Sequence, residues 1–187
     1  MLSNLRPLAK KPLEKIAEPF SKLGITPNQL TMVGFFLSLL ASYEYYLNNQ
    51  VFGSLILLLG AFLDALDGSL ARLTGRVTKF GGFLDSTMDR LSDAAIIFGI
   101  ALGELVNWKV AFLALIGSYM VSYTRCRAEL AGSGTLAVGI AERGERLLIL
   151  VIAGLFGIID IGVYLVAILS WITFLQRVYE AKKRLEK

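Results

Sequence analysis

Long apolar runs separated by short polar links dominate the sequence. Each run is about 20 residues long, which is enough for a helix to cross the hydrocarbon core of a bilayer. The runs occupy 30–47, 51–73, 83–104, 108–129, 142–158 and the stretch ending near 179. The pattern predicts an all-α integral membrane protein with six transmembrane helices.

The segments around these runs are polar or glycine-rich. Residues 4–22 combine lysines with apolar residues at helical spacing, which is typical of an amphipathic helix in the interface of an anionic leaflet. A solvated basic tail is the alternative. A glycine-rich link is expected at 131–134, and Asp160 and Gly162 mark a short turn. We expect one membrane domain over 1–187, with its six-helix core at 24–180.

Composition supports a membrane protein and limits its chemistry. The 187 residues are 55% hydrophobic and carry a net charge of +4, with a mean hydropathy of +0.62. The chain has no histidine and a single cysteine, Cys126, so catalysis depends on other side chains and any metal site is oxygen-rich. The basic, proline-broken start does not fit a cleavable signal peptide. We expect membrane lipids, and no nucleic acid, as partners.

Basic residues are distributed unevenly between the two predicted sides. Of the 19 lysines and arginines, only Lys109 falls in the links 48–51, 104–109 and 159–162. The others lie at or near the side that holds both termini. By the positive-inside rule, that side is cytoplasmic. A cell-membrane protein with its active site at the cytoplasmic face is expected.

Four carboxylates stand out within the apolar runs: Asp64, Asp67, Asp85 and Asp89. Steps of three and four residues place each pair on one helix face, so a helical hairpin would bring all four together. Such a cluster needs protons, arginines or metal to neutralise it. Oxygen ligands favour Mg²⁺ or Mn²⁺. The acids alone fit a transporter's proton or ion pathway equally well.

The residues between the acid pairs favour a phosphorylated substrate. Gly68 follows Asp67, and Gly75, Gly81 and Gly82 lie in a basic link predicted at 72–82. Glycine allows a ligand to approach the backbone closely. Arg72 offers a guanidinium that suits phosphate. A metal site that holds a phosphorylated substrate is therefore preferred to an ion pathway, and no internal repeat supports a transporter.

The complete motif resembles a known signature. Asp64-x-x-Asp67-Gly68-x-x-Ala71-Arg72, followed by Gly81-x-x-x-Asp85-x-x-x-Asp89, is similar to that of the CDP-alcohol phosphotransferase family. The start Thr26-Pro27-Asn28-x-x-Thr31 also resembles the family. The resemblance implies transfer from a CDP-lipid donor to an alcohol with release of CMP. It also implies a homodimer.

The resemblance also implies roles for individual residues. Asp64, Asp67, Asp85 and Asp89 would bind two Mg²⁺ or Mn²⁺ ions, and Asp89 would also be the general base. The implied donor contacts are Pro27, Asn28, Gln29, Leu30, Thr31, Gly68, Ala71, Arg72, Thr78 and Gly81. Asp93 lies outside the signature, and we interpret it as a supporting or packing group.

Arginines near the cytoplasmic side indicate the acceptor. A cluster of guanidinium groups suits a phosphorylated alcohol better than serine, choline or ethanolamine. The candidates for the acceptor phosphate are Arg125, Arg143, Arg146 and Arg177. The stretches around 122–129 and 142–146 resemble the branch of phosphatidylinositol-phosphate and archaetidylinositol-phosphate synthases. Inositol phosphate is the preferred acceptor, and glycerol-3-phosphate is the alternative.

Overall fold

The computed structural model describes residues 6–186, with side chains from Lys10 onward. Regular structure in these residues is entirely helical, which confirms the all-α prediction. Residues 4 and 5 of the predicted interfacial helix lie outside the described part. The helices are α1 (Arg6–Lys22), α2 (Pro27–Tyr46), α3 (Gln50–Leu73), α4 (Lys79–Leu102), α5 (Trp108–Leu130), α6 (Arg143–Leu155) and α7 (Ile159–Leu185).

The link between α3 and α4 is shorter than the sequence predicted. It covers only 74–78, because Thr78 caps α4 by accepting a hydrogen bond from the Gly81 amide at 2.9 Å. A threonine N-cap satisfies one of the amides that a helix start leaves unpaired. The expected start near Phe83 was therefore wrong by four residues, and Gly81 belongs to the first turn of α4.

The turn between α6 and α7 also differs from its prediction. It lies at 156–158, where Gly157 has φ of +70°, rather than at Asp160 and Gly162. Gly162 instead lies in α7. A Cβ atom there would be 2.6 Å from Ala153 Cβ, so this glycine permits close packing of α6 against α7.

The core is formed mainly where helix backbones approach closely. Tyr45, Ile100 and Val163 belong to one large buried cluster shared by α2 to α7. A Cβ at Gly99 would lie 2.2 Å from the Ser42 carbonyl oxygen, so α4 approaches α2 at a position where only glycine fits. This packing holds the acid-bearing α4 firmly against α2.

The outer surface is apolar, as expected in lipid. Large apolar side chains that are exposed include Phe36, Leu55, Phe98, Phe112, Ile168 and Leu175. Within the described residues, α3 and α7 are long and apolar enough to cross a membrane, and the α1–α2 pair, bent by 105°, would add a third. The membrane class is supported, but the count of six spans is not confirmed. Helix α6 has only 13 residues.

An irregular segment at 131–142 precedes α6 and packs against α7. The Ala141 amide donates to Thr173 Oγ1 at 3.0 Å, and Arg177 Nε donates to the Val138 carbonyl at 2.7 Å. Buried backbone groups outside helices need such partners, most of all in a membrane. These contacts position the start of α6 beside the acids of α3 and α4.

Candidate active site

Three of the four predicted acids form one compact group. Asp64 and Asp67 extend from α3 and Asp85 from α4, and one carboxylate oxygen of each lies within 4.8 Å of the others. The three-residue step on α3 and the antiparallel course of α4 bring them together. Three carboxylate oxygens suit a hard divalent cation, so these residues fit the Mg²⁺ or Mn²⁺ that the sequence predicted.

A hydroxyl group orients the most buried of these acids. Asp67 is 6% exposed, and Thr31 Oγ1 donates to its Oδ2 at 2.5 Å. Thr31 lies in the second turn of α2, which is packed against α3. The sequence assigned Thr31 to the donor, whereas the structure places its hydroxyl on a predicted metal ligand. Partners of this kind fix the direction of ligating carboxylates.

The fourth acid is engaged by arginines. Asp89 lies one turn beyond Asp85 on α4, and its Oδ1 is 2.6 Å from Arg143 Nη1. Its Oδ2 accepts from Arg90 Nη1 at 3.2 Å. The same Arg143 Nη1 lies 2.8 Å from Asp64 Oδ2. Asp89 therefore shares Arg143 with Asp64 and has an additional contact with Arg90.

A cavity of about 880 Å³ opens over the acids. Its lining includes the four predicted acids together with Gly68 and Arg72. Apolar residues, among them Leu58, Leu148 and Val151, also line it. A cavity lined by both acidic and apolar side chains matches a ligand that carries both phosphates and hydrocarbon. We call it the acidic cavity.

The other predicted donor contacts lie at the junction of α2 and α4. A Cβ at Gly81 would be 3.0 Å from Thr78 Oγ1 and 3.3 Å from Asn28 Oδ1, so glycine lets the two helix starts meet. The side chain of Gln29 closes a capping box by accepting from the Thr26 amide at 2.8 Å. Leu30 is 4% exposed and packs in a second small core. Pro27 is the first residue of α2, and Ala71 lies on α3 next to Arg72.

A second cavity, of about 320 Å³, contains all four predicted acceptor arginines. Its described lining holds five arginines and three acids. The arginines are Arg90, Arg125, Arg143, Arg146 and Arg177, and the acids are Asp89, Glu142 and Glu145. The excess of positive charge suits an anionic ligand. We call it the arginine cavity.

The deepest arginines are fixed by internal partners. Arg146 is 3% exposed, and its guanidinium donates to Asp93 Oδ2 and to the Ala141 carbonyl, both at 3.0 Å. Arg177 is 2% exposed and donates to the Val121 carbonyl at 2.6 Å and to Glu142 at 3.2 Å. Buried charges need such pairing. These two side chains form rigid walls of the cavity.

Asp93 holds two arginines at once. While its Oδ2 receives Arg146, its Oδ1 accepts from Arg143 Nε at 3.2 Å. The sequence identified Asp93 only as a supporting group one turn beyond Asp89. The structure shows what Asp93 supports: it joins α4 to the first turn of α6, where both arginines lie.

The two cavities meet at a common wall. Asp89, Arg143 and Gly144 line both. Gly144 has no side chain to separate the cavities. The predicted base is therefore accessible from an acidic, partly apolar cavity on one side and a basic one on the other.

Sequence reasoning missed several residues of these cavities. Arg90 contacts Asp89 and lines the arginine cavity, Glu142 pairs with Arg177, and Lys10 of α1 lines the acidic cavity. Arg90 directly follows a predicted catalytic acid, and that position was the only signal for it. The positions of Glu142 and Lys10 follow from tertiary packing.

Comparison with known proteins establishes the class of this chain. The chain belongs to the CDP-alcohol phosphatidyltransferase family, whose family model matches residues 24–178. It is therefore a transferase of substituted phosphate groups. The resemblance drawn from the Asp64–Asp89 signature is confirmed.

Individual relatives extend the comparison over the whole chain. The archaetidylinositol phosphate synthase of Pyrococcus horikoshii is 73% identical over 100% of this chain and 99% of that protein. The crystal structure of Mycobacterium tuberculosis phosphatidylinositol phosphate synthase with CDP-DAG bound is 27% identical, with a TM-score of 0.80, and covers 91% of this chain and 93% of that one. The same enzyme in complex with manganese and citrate is 28% identical, with a TM-score of 0.81 over 90% and 88%.

Proposed function

We propose that this enzyme transfers the phosphatidyl or archaetidyl group from a CDP-lipid to inositol phosphate and releases CMP. The observation that carries the proposal is the wall shared by the two cavities. Asp89 lines the acidic cavity, which would take the CDP-lipid, and the arginine cavity, which would take the phosphorylated alcohol. The M. tuberculosis relative binds CDP-DAG, and the P. horikoshii relative is an archaetidylinositol phosphate synthase.

Asp64, Asp67 and Asp85 would hold the divalent cation, and Asp89 would complete a site for two ions. When bound, Mg²⁺ or Mn²⁺ offsets the negative charge on the donor's pyrophosphate and on the CMP leaving group. A manganese complex is known for the M. tuberculosis relative. Gly68 and Arg72, in the wall of the acidic cavity, would contact the cytidine diphosphate group together with the 27–31 segment, Ala71, Thr78 and Gly81.

Asp89 would act as the general base. Its carboxylate lines both cavities, so an acceptor hydroxyl in the arginine cavity would reach it beside a phosphate held in the acidic cavity. The carboxylate takes the hydroxyl proton while the oxygen attacks the lipid-side phosphorus, and the bond to the CMP oxygen breaks. Arg125, Arg143, Arg146 and Arg177 would orient the acceptor phosphate.

Glycerol-3-phosphate is the second candidate acceptor, because its phosphate could use the same arginines. Purified protein is incubated with CDP-lipid and Mg²⁺ or Mn²⁺, and each acceptor is offered in turn while CMP is measured. We expect CMP release with inositol phosphate. Release with glycerol phosphate alone would reverse the choice of acceptor, and release with neither would contradict both.

We infer that α2 to α7 form six spans of one membrane domain, with α1 in the cytoplasmic interface. The 105° bend between α1 and α2 supports an interfacial α1. The 131–142 segment, which buries Ser133, Leu136 and Ala141, adds length to the short α6. The distribution of basic residues supports a cytoplasmic active site. A homodimer is proposed from the family resemblance, and cross-linking in membranes tests it.

A further inference from the structure

Arg143 occupies an unusual position between the two halves of the site. Its Nη1 contacts Asp64 at 2.8 Å and Asp89 at 2.6 Å, and its Nε contacts Asp93 at 3.2 Å. It is the first residue of α6 and is 19% exposed as a side chain. One guanidinium therefore bridges a predicted metal ligand and the predicted base.

The contacts of Arg143 compete with the functions proposed for the same carboxylates. A divalent cation and a guanidinium both draw on the negative charge of Asp64 and Asp89. Arg143 also occupies Oδ1 of Asp89, the carboxylate that an acceptor hydroxyl has to reach. Arg143 must release these acids before the acids can bind metal or accept a proton to full effect.

The arginine cavity offers Arg143 an alternative partner. Arg143 lines this cavity as well as the acidic one, so its guanidinium needs no change of backbone position to meet an anion there. Its Nε contact with Asp93 lies on the side away from Nη1 and anchors the side chain at the shared wall. Arg146 and Arg177, in contrast, each donate to a backbone carbonyl, of Ala141 and of Val121 respectively, and are nearly fully buried.

We propose that Arg143 makes the metal site and the base dependent on a phosphorylated acceptor. The acceptor's phosphate takes the guanidinium away from Asp64 and Asp89, and the freed carboxylates then bind the cation and receive the hydroxyl proton. An alcohol without phosphate leaves Arg143 on the acids. Arg143 is thus a specificity-determining residue, and the inference rests on the proposed function in that the acceptor is phosphorylated.

Thermodynamic linkage provides a test that does not depend on turnover. If phosphate and metal both act through Arg143, inositol phosphate must tighten Mn²⁺ binding by the factor by which Mn²⁺ tightens inositol phosphate binding. Mn²⁺ binding to purified protein is measured by electron paramagnetic resonance, with inositol phosphate, unphosphorylated inositol or neither. Protein-free samples correct for Mn²⁺ bound by inositol phosphate itself.

Arg143→Gln removes the competing charge. Without acceptor, we expect this variant to bind Mn²⁺ at least about 5-fold more tightly than the wild type does. This factor is the lower end of typical coupling factors. Inositol phosphate should tighten Mn²⁺ binding to the wild type but not to the variant, and inositol should affect neither. Lys109→Gln, which removes a positive charge at the start of α5, is the matched control and should behave as the wild type.

Weaker Mn²⁺ binding by Arg143→Gln, or an equal response of both proteins to inositol phosphate, would overturn the proposal. If Arg143→Gln does not fold, Arg143→Lys carries the test. Its single ammonium cannot keep all three contacts, so Mn²⁺ should bind more tightly than to the wild type, and weaker binding overturns the proposal. Failure of the proposed acceptor is distinguishable, because it would appear as absent CMP release while the acceptor-free Mn²⁺ comparison still stands.

Discussion

The acids and the arginines of this site come from different parts of the chain. Asp64, Asp67, Asp85 and Asp89 come from two consecutive helices and repeat at helical spacing. The arginines come from α4, α5, α6 and α7, which are distant in the sequence. The acid group is open to the larger cavity, whereas Arg146 and Arg177 are nearly fully buried. The predicted metal site thus depends on two neighbouring helices, while the pocket proposed for the second substrate depends on the packing of four.

Replacing Asp89, the proposed base, should have the largest effect on activity. Asp89→Asn keeps the size of the side chain but removes the proton acceptor, so CMP release should fall by about 10²- to 10⁴-fold. CDP-lipid binding and the fold should be largely retained, because Asp64, Asp67 and Asp85 are unchanged. Asp160→Asn, on an exposed part of α7, is the control. Undiminished turnover in Asp89→Asn would show that Asp89 is not the base.

The contacts that join α4 to the arginines of α6 can be broken at Asp93. Asp93→Asn leaves Arg146, which is 3% exposed, without its counter-charge. Removing one partner of a buried ion pair costs about 3–5 kcal/mol. We expect a clear loss of thermal stability in detergent, measured against Asp160→Asn. A variant as stable as the control would mean that Arg146 finds another partner.

Among the acids, Thr31 tests whether the orientation of Asp67, a predicted metal ligand, affects metal binding. Thr31→Val removes the hydroxyl that donates to Asp67 and should weaken Mn²⁺ binding by about 10- to 100-fold. Thr31→Ser keeps the hydroxyl and should remain near the wild type. If both variants bind Mn²⁺ equally well, the hydroxyl does not orient the metal ligand, and the donor role predicted from the sequence becomes the better explanation.

Among the arginines, replacing Arg125 should have the smallest effect of the changes considered. Arg125 forms ion pairs with Glu129 and Glu142, and its side chain is about one-third exposed. Arg125→Gln should therefore change the free energy of unfolding by less than about 1 kcal/mol. Loss of a charge-assisted hydrogen bond should raise the KM for inositol phosphate by roughly 10-fold. The KM for CDP-lipid should not change. Arg127→Gln, on the same helix, is the control, and equal KM values in both variants would exclude Arg125 from the acceptor site.

Local signals explain why the sequence predicted one half of the site in detail. Steps of three and four residues fix which side chains share a helix face, whatever the rest of the fold does. Glycines were harder to interpret, because the same residue can end a helix or permit close packing. Gly81 and Gly162 were both assigned to links or turns, whereas each lies in a helix. Their effect depends on neighbours that are distant in the sequence.

The sequence by itself determined the helical class, the apolar membrane character, the acidic motif and the family. These properties depend on composition and on spacing within a few turns. Only the tertiary structure decided that Arg143 lies between Asp64 and Asp89, that Asp93 holds two arginines, and that two cavities share one wall. Such contacts join residues that are up to 79 positions apart, and only the packing of the helices determines which of them meet.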